Sequence, residues 1–191
     1  MSACKIDLRD LITNEANRQG VDPSIALSVA QTESGTCQWG PSGNVVVSST
    51  GAIGVFQLEP ATAAQLGVDP TDVNQNIQGG ITYLKQLYQK YGSWSQALAA
   101  YNWGPTKVNS AIATGSAWPT EVWNYVTSIL GRASGTSAAA AAQAAKDSTP
   151  AISASDLLAN VMPAGGSSIS PTIAVLSLLG LGIAGYLWME W

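Results

Sequence analysis

Histidine is absent from this chain of 191 residues, and cysteine occurs only at positions 4 and 37. Without an imidazole there is no Ser–His or Cys–His nucleophile, and two distant cysteines cannot assemble a zinc site. No glycine-rich loop followed by lysine at phosphate-binding spacing is present, so neither a metal nor a nucleotide cofactor is expected. Charge is also scarce. Charged residues make up 10% of the chain and the formal net charge is −4, which excludes nucleic acid as the natural partner. Hydrophobic residues reach 46%, a high share beside so little charge, and this points to a membrane segment.

The chemistry that remains is that of carboxylates and amides. Residues 24–35 read Ser-Ile-Ala-Leu-Ser-Val-Ala-Gln-Thr-Glu-Ser-Gly. Asp22 can cap this helix, Pro23 suits its first position, and Gly35 can stop it. Ile25, Ala26, Val29 and Ala30 recur at helical spacing and mark a buried face. Glu33 follows Val29 and Ala30 by four and three residues, on that same side. A carboxylate against an apolar wall has its neutral form favoured, as a general acid working near neutrality requires. The plainer reading of Glu33, one more partly exposed glutamate near a helix end, is outweighed by two segments farther along the chain. In the first, Gly51 and Gly54 allow a tight turn and close approach of a ligand to the backbone. Gln57 ends that turn with an amide that can both donate and accept. In the second, Ser93 can cap a helix that breaks at Gly104-Pro105, leaving Tyr101, Asn102 and Trp103 beside a loop.

Together these segments resemble the soluble-lytic-type transglycosylases of the lysozyme superfamily. The resemblance rests on Glu33-Ser34, on Gly51-Ala-Ile-Gly-Val-Phe-Gln-Leu-Glu-Pro60, on Asn76-Ile with Gly80 and Tyr83-Leu84, and on Ala100-Tyr-Asn-Trp-Gly104, in the family's order over roughly residues 5 to 130. It implies that Glu33 is the catalytic acid/base and that Ser34, Gln57, Tyr101 and Asn102 line the site and position the N-acetyl sugar. It also implies cleavage of the MurNAc–GlcNAc β-1,4 bond of peptidoglycan with formation of a 1,6-anhydro-MurNAc end. The chain departs from the family's pattern at Glu59, usually apolar, and at Gly35-Thr36-Cys37. Most glycosidases use two carboxyls. Here Glu59, Asp69 and Asp72 are candidates for a second one, and none stands in an obvious catalytic setting. Two alternatives are a goose-type lysozyme-like hydrolase and a non-catalytic wall-binding or membrane structural protein.

The expected architecture is mainly α, with helices near 7–19, 23–34, 60–66, 74–91, 94–103, 105–114 and 119–130, and one β-like run at Val45 to Val47. Residues 1–131 are expected as the lysozyme-like domain, 132–168 as an Ala/Ser/Gly-rich spacer, and 169–189 as a transmembrane helix. The last stretch carries no charge and at about 1.5 Å per residue reaches roughly 30 Å, enough for a bilayer core. Trp188 and Trp191 fall where an interfacial belt would lie. Lys5, Asp7, Arg9 and Asp10 rule out a signal peptide at the N-terminus. A single C-terminal anchor would then leave the domain on the cytosolic side, away from the wall. The pattern resembles the wall-penetrating transglycosylases of membrane-containing bacteriophages. That implies a virion membrane, with other virion membrane proteins as partners, or failing that the bacterial inner membrane. Cys4 and Cys37 are expected as free thiols, as in a protein made in a reducing cytosol, with a disulfide pinning the first helix to the loop after Glu33 as the alternative.

Overall fold

Phe56 is the largest fully buried side chain among the described residues. In the computed structural model, which describes residues 6–135, the chain forms α1 (Arg9–Gln19), α2 (Pro23–Ser34), α3 (Pro60–Leu66), α4 (Val73–Tyr91), α5 (Trp94–Trp103), α6 (Pro105–Thr114) and α7 (Thr120–Ser134). Cys4, most of the expected spacer and the expected span at 169–189 lie outside the described residues. Among the described residues no helix is long and apolar enough to cross a membrane.

α5 is the central helix, packed by α4, α6 and α7. Its run Ala97-Leu-Ala-Ala100 is wholly buried, and these small side chains let three neighbours approach it. α2 packs on α1 and α7, and α1 also packs on α4. The Asp22 carboxylate accepts from the Ser24 N–H at 2.8 Å, and Pro23 stands at the first helical position. Ser93 stands at the N-cap of α5 without capping it: its hydroxyl pairs with the Ser95 hydroxyl at 2.8 Å.

Two further details sharpen the sequence-based expectation, which left Val45 to Val47 as one short strand or a loop. α7 continues past Leu130 to Ser134, because Gly131 is buried and the Arg132 guanidinium donates to the Ser28 carbonyl and to the Thr32 hydroxyl, both at 2.9 Å, fastening α7 to α2. The run at Val45 to Val47 forms isolated antiparallel bridges, Trp39 with Val45 and Val47 with Ile53, and Ile53 in turn bridges Leu58.

Gly79 and Gly80 in mid-α4 admit the loop that carries Phe56. A Cβ at Gly80 would stand 2.3 Å from Phe56 Cγ, and one at Gly79 would lie 2.8 Å from Val68 and 3.1 Å from Leu58. Each glycine costs a helix interior about 1 kcal/mol against alanine. Burying Phe56 and Leu58 returns roughly 1.5–3 kcal/mol apiece, so the exchange favours the fold.

Candidate active site

Glu33 is the penultimate residue of α2, whose C-terminus is closed by Gly35 at φ 69°. Burial pushes its carboxyl pKa up, while a hydrogen bond from the Tyr125 hydroxyl to Oε1, at 2.5 Å, pulls the other way; the net shift is upward. The negative end of the helix dipole lies on the same side and also disfavours the anion. Among the described residues Oε2 makes no hydrogen bond, so one carboxyl oxygen is held and the other is unpaired.

Opposite Glu33 the chain makes the loop 51–58, and its backbone groups are satisfied by side chains from around it. The Gln38 amide oxygen accepts from the Val55 N–H at 2.8 Å, and the Asn76 amide oxygen accepts from the Phe56 N–H at 2.9 Å. Asn76 also donates to the Ile53 and Pro70 carbonyls, both at 2.8 Å. The Ser34 hydroxyl donates to the Val55 carbonyl at 2.8 Å, and the Tyr101 hydroxyl donates to the Phe56 carbonyl at 2.7 Å. Gly54, at φ 78°, is wedged so tightly that a Cβ there would lie 2.3 Å from Asn76 Nδ2 and 2.6 Å from Gln38 Oε1. Glycine is therefore required there by both conformation and space.

The residues singled out in the sequence are thus brought to one region but differ in what they do. Ser34 has its one donor engaged and also accepts from the Cys37 N–H at 3.0 Å, so its hydroxyl belongs to the frame. Tyr101 is likewise a strut. Its pKa is raised well above 10 by burial and then by the charges of Glu33 and Tyr83, which keeps the phenol a donor. Tyr125 is shifted the same way by burial and by Glu33. Gln57 adopts φ 47°, a left-handed conformation unusual for a side-chain-bearing residue, and its amide bonds back to the Gly54 carbonyl at 2.8 Å. Gln57, Asn102, Tyr101, Tyr83, Trp103 and Glu59 line a recess of 310 Å³ at the junction of α5 and α6. Glu33 is not part of its lining; the link between them is Tyr101, which lines the recess and feels the Glu33 charge.

Two of the candidate second carboxylates have local tasks. Asp69 accepts from the Thr71 N–H and hydroxyl at 2.9 and 2.7 Å, which lowers its pKa, and Asp72 caps α4 through the Gln75 N–H at 2.9 Å. Cys37 is disulfide-bonded, which replaces the free thiol expected for it. Among the described residues no group of three or more acidic or cysteine side chains is placed to hold a metal ion.

Sequence reasoning missed Tyr125 and Gln38. Tyr125 lies 92 residues from Glu33 and follows Val122 by three, so it reads as one more residue of the inner face of α7. Gln38 is 1% exposed, and nothing in its neighbours marks a buried amide.

The site is a helical frame presenting one desolvated carboxyl beside an amide-bearing loop. The 70 kDa soluble lytic transglycosylase of Escherichia coli superposes with a TM-score of 0.58 at 24% identity, over 78% of this chain and 26% of that one. A 70 kDa soluble lytic transglycosylase in complex with bulgecin A superposes with a TM-score of 0.57 at 24% identity, over 68% of this chain and 24% of that one. The chain belongs to the transglycosylase SLT domain family, whose model matches residues 10–124. It is 38% identical over 113 residues to the transglycosylase of Enterobacteria phage PRD1, an alignment covering 58% of this chain and 40% of that protein. It is 36% identical over 102 residues to membrane-bound lytic murein transglycosylase F of Shewanella denitrificans, covering 48% of this chain and 20% of that one. The chain therefore spans two fifths or less of the length of these curated relatives.

Proposed function

We propose that this chain is a peptidoglycan lytic transglycosylase with Glu33 as its acid and then its base. The observation that carries the reading is the Glu33 carboxyl, raised in pKa by burial, held through Oε1 by Tyr125 and unpaired at Oε2 among the described residues. With Oε1 accepting from Tyr125, the acidic proton sits on Oε2. It passes to the bridging oxygen of the MurNAc–GlcNAc bond as the C1–O bond breaks. The 2-acetamido group of MurNAc stabilises the positive charge at C1. Glu33, now ionised and again able to accept, takes the proton of the muramyl C6 hydroxyl, whose oxygen closes on C1. Glu33 gives one proton to the departing oxygen and regains another from the C6 hydroxyl, no water is consumed, and the product is a 1,6-anhydro-MurNAc end. Gln57 and Asn102 offer amides to the sugar in the recess. Ser34 and Tyr101 hold the loop at the distance this requires.

Membrane anchoring by residues 169–189, joined by the spacer 132–168 to the catalytic domain, completes the proposal. Anchoring is supported by the charge-free C-terminal stretch and by relatives that are named membrane-bound. The similarity to a phage transglycosylase supports local penetration of the cell wall at infection, from a virion membrane, as the setting. The test is Glu33→Gln in a folded chain. Removal of a general acid costs about 10²–10⁴-fold, so clearing of purified peptidoglycan should fall by at least that factor. Wild-type clearing by the variant would remove Glu33 from this role.

A further inference from the structure

Glu59 stands at the N-cap of α3, yet its side chain makes no capping bond. Two other acids at helix starts show the contrast: Asp22 and Asp72 both cap their helices. Glu59 is exposed, and the ion pairs among the described residues, Arg9 with Asp7 and Arg18 with Glu15, do not involve it. What the side chain does is line the recess with Gln57, Asn102, Tyr83, Tyr101 and Trp103. Among the described residues no cationic side chain lines that recess. Lys107, at the start of α6, holds its ammonium 6.0 Å from the Trp103 ring centroid instead of pairing with Glu59.

A recess of 310 Å³ is at the small end of ligand sites, which run from roughly 300 to 1,000 Å³. Its amides suit hydroxyl and acetamido groups and its aromatic rings suit a sugar face, and neither needs a carboxylate. An uncompensated carboxylate beside aromatic faces suits a cation, which gains from both. We infer that Glu59 makes this recess selective for a ligand bearing a primary ammonium. On a cell-wall glycan that group has two sources: the amine of a de-N-acetylated hexosamine, or the side-chain amine of a diamino acid in a stem peptide. The inference rests on the proposed reading of the recess as part of the glycan groove.

The test reads binding on the Glu33→Gln chain, so a failure of the lytic reading leaves this measurement intact. Tryptophan fluorescence, for which Trp103 in the wall is the natural reporter, compares a glucosamine tetramer with its N-acetylated counterpart. A second arm compares a stem peptide carrying a free side-chain amine with the same peptide acetylated. An exposed ion pair corresponds to a preference of about 2–5-fold. That preference for the amine should appear in one arm, disappear in Glu59→Gln, reverse in Glu59→Lys and shrink as salt is raised. A preference in the first arm identifies the sugar amine, and one in the second identifies the peptide amine. The same preference should appear as a ratio of kcat/KM on free and acetylated wall in the wild-type chain. Equal binding in both arms, or a preference that survives Glu59→Gln, overturns the inference.

Discussion

Tyr125 and burial act on Glu33 in opposite senses, and the balance sets where the acid works. Burial raises the pKa and the Tyr125 hydrogen bond, by stabilising the anion, lowers it. The reaction needs the protonated acid, so the rate falls as pH rises through the Glu33 pKa. Removing the hydroxyl removes the downward pull. Tyr125→Phe should therefore move the alkaline limb of the kcat/KM profile to higher pH, and a limb that stays put or moves down would show that Tyr125 does not set the acidity of Glu33. The two partners were not equally legible. Glu33 was singled out by its apolar spacing and closing glycine only together with the segments at Gly51–Gln57 and Tyr101–Trp103, each of them a local feature of the sequence. Tyr125 was not, because what distinguishes it is a contact across the fold. The hydrogen bonds of Ser34 and Tyr101 to the loop were hidden for the same reason: a hydroxyl that donates to a loop carbonyl and one that meets a sugar look alike in a sequence.

At the scale of the element, the loop 51–58 is shaped by its supports. Gln38, Ser34 and Tyr101 each take up one of its backbone groups, and Asn76 takes up two. Gly80 supplies the space into which Phe56 sinks. Gly80→Ala should destabilise the domain by about 1–3 kcal/mol, the usual cost of overpacking, because the added carbon meets the root of the Phe56 ring and not a flexible tip. Urea unfolding measures this, and an unchanged midpoint would mean that the loop and α4 are not interlocked. The helices themselves were readable from caps, prolines and apolar spacing. The end of α7 was not, since a serine-, glycine- and alanine-rich stretch looks like the start of a spacer. What extends the helix is Arg132 reaching α2.

For the whole molecule, the end of α7 fixes where the catalytic part can be cut. A chain stopped after Gly135 keeps Arg132 on Ser28 and Thr32 and should digest peptidoglycan without detergent. A chain stopped after Leu130 loses that fastening and should melt at lower temperature. The full chain should partition with lipid through 169–189, and Leu178→Lys with Leu181→Lys should release it, since a charge near the bilayer centre costs roughly 2.5–3.5 kcal/mol. A full chain that stays out of lipid would remove the anchor from the proposal. The family and the helical frame were legible in the sequence because four motifs in order are specific. The products tell whether the C6 hydroxyl or water closes on C1. The direct test of the central claim is mass spectrometry of the muropeptides released by the chain ending at Gly135. A Glu33 that recovers its proton from the C6 hydroxyl releases fragments ending in 1,6-anhydro-MurNAc, each one water lighter than its hydrolytic counterpart. Fragments that all carry reducing MurNAc ends would show that water is the acceptor and would contradict the single-carboxyl transglycosylase account.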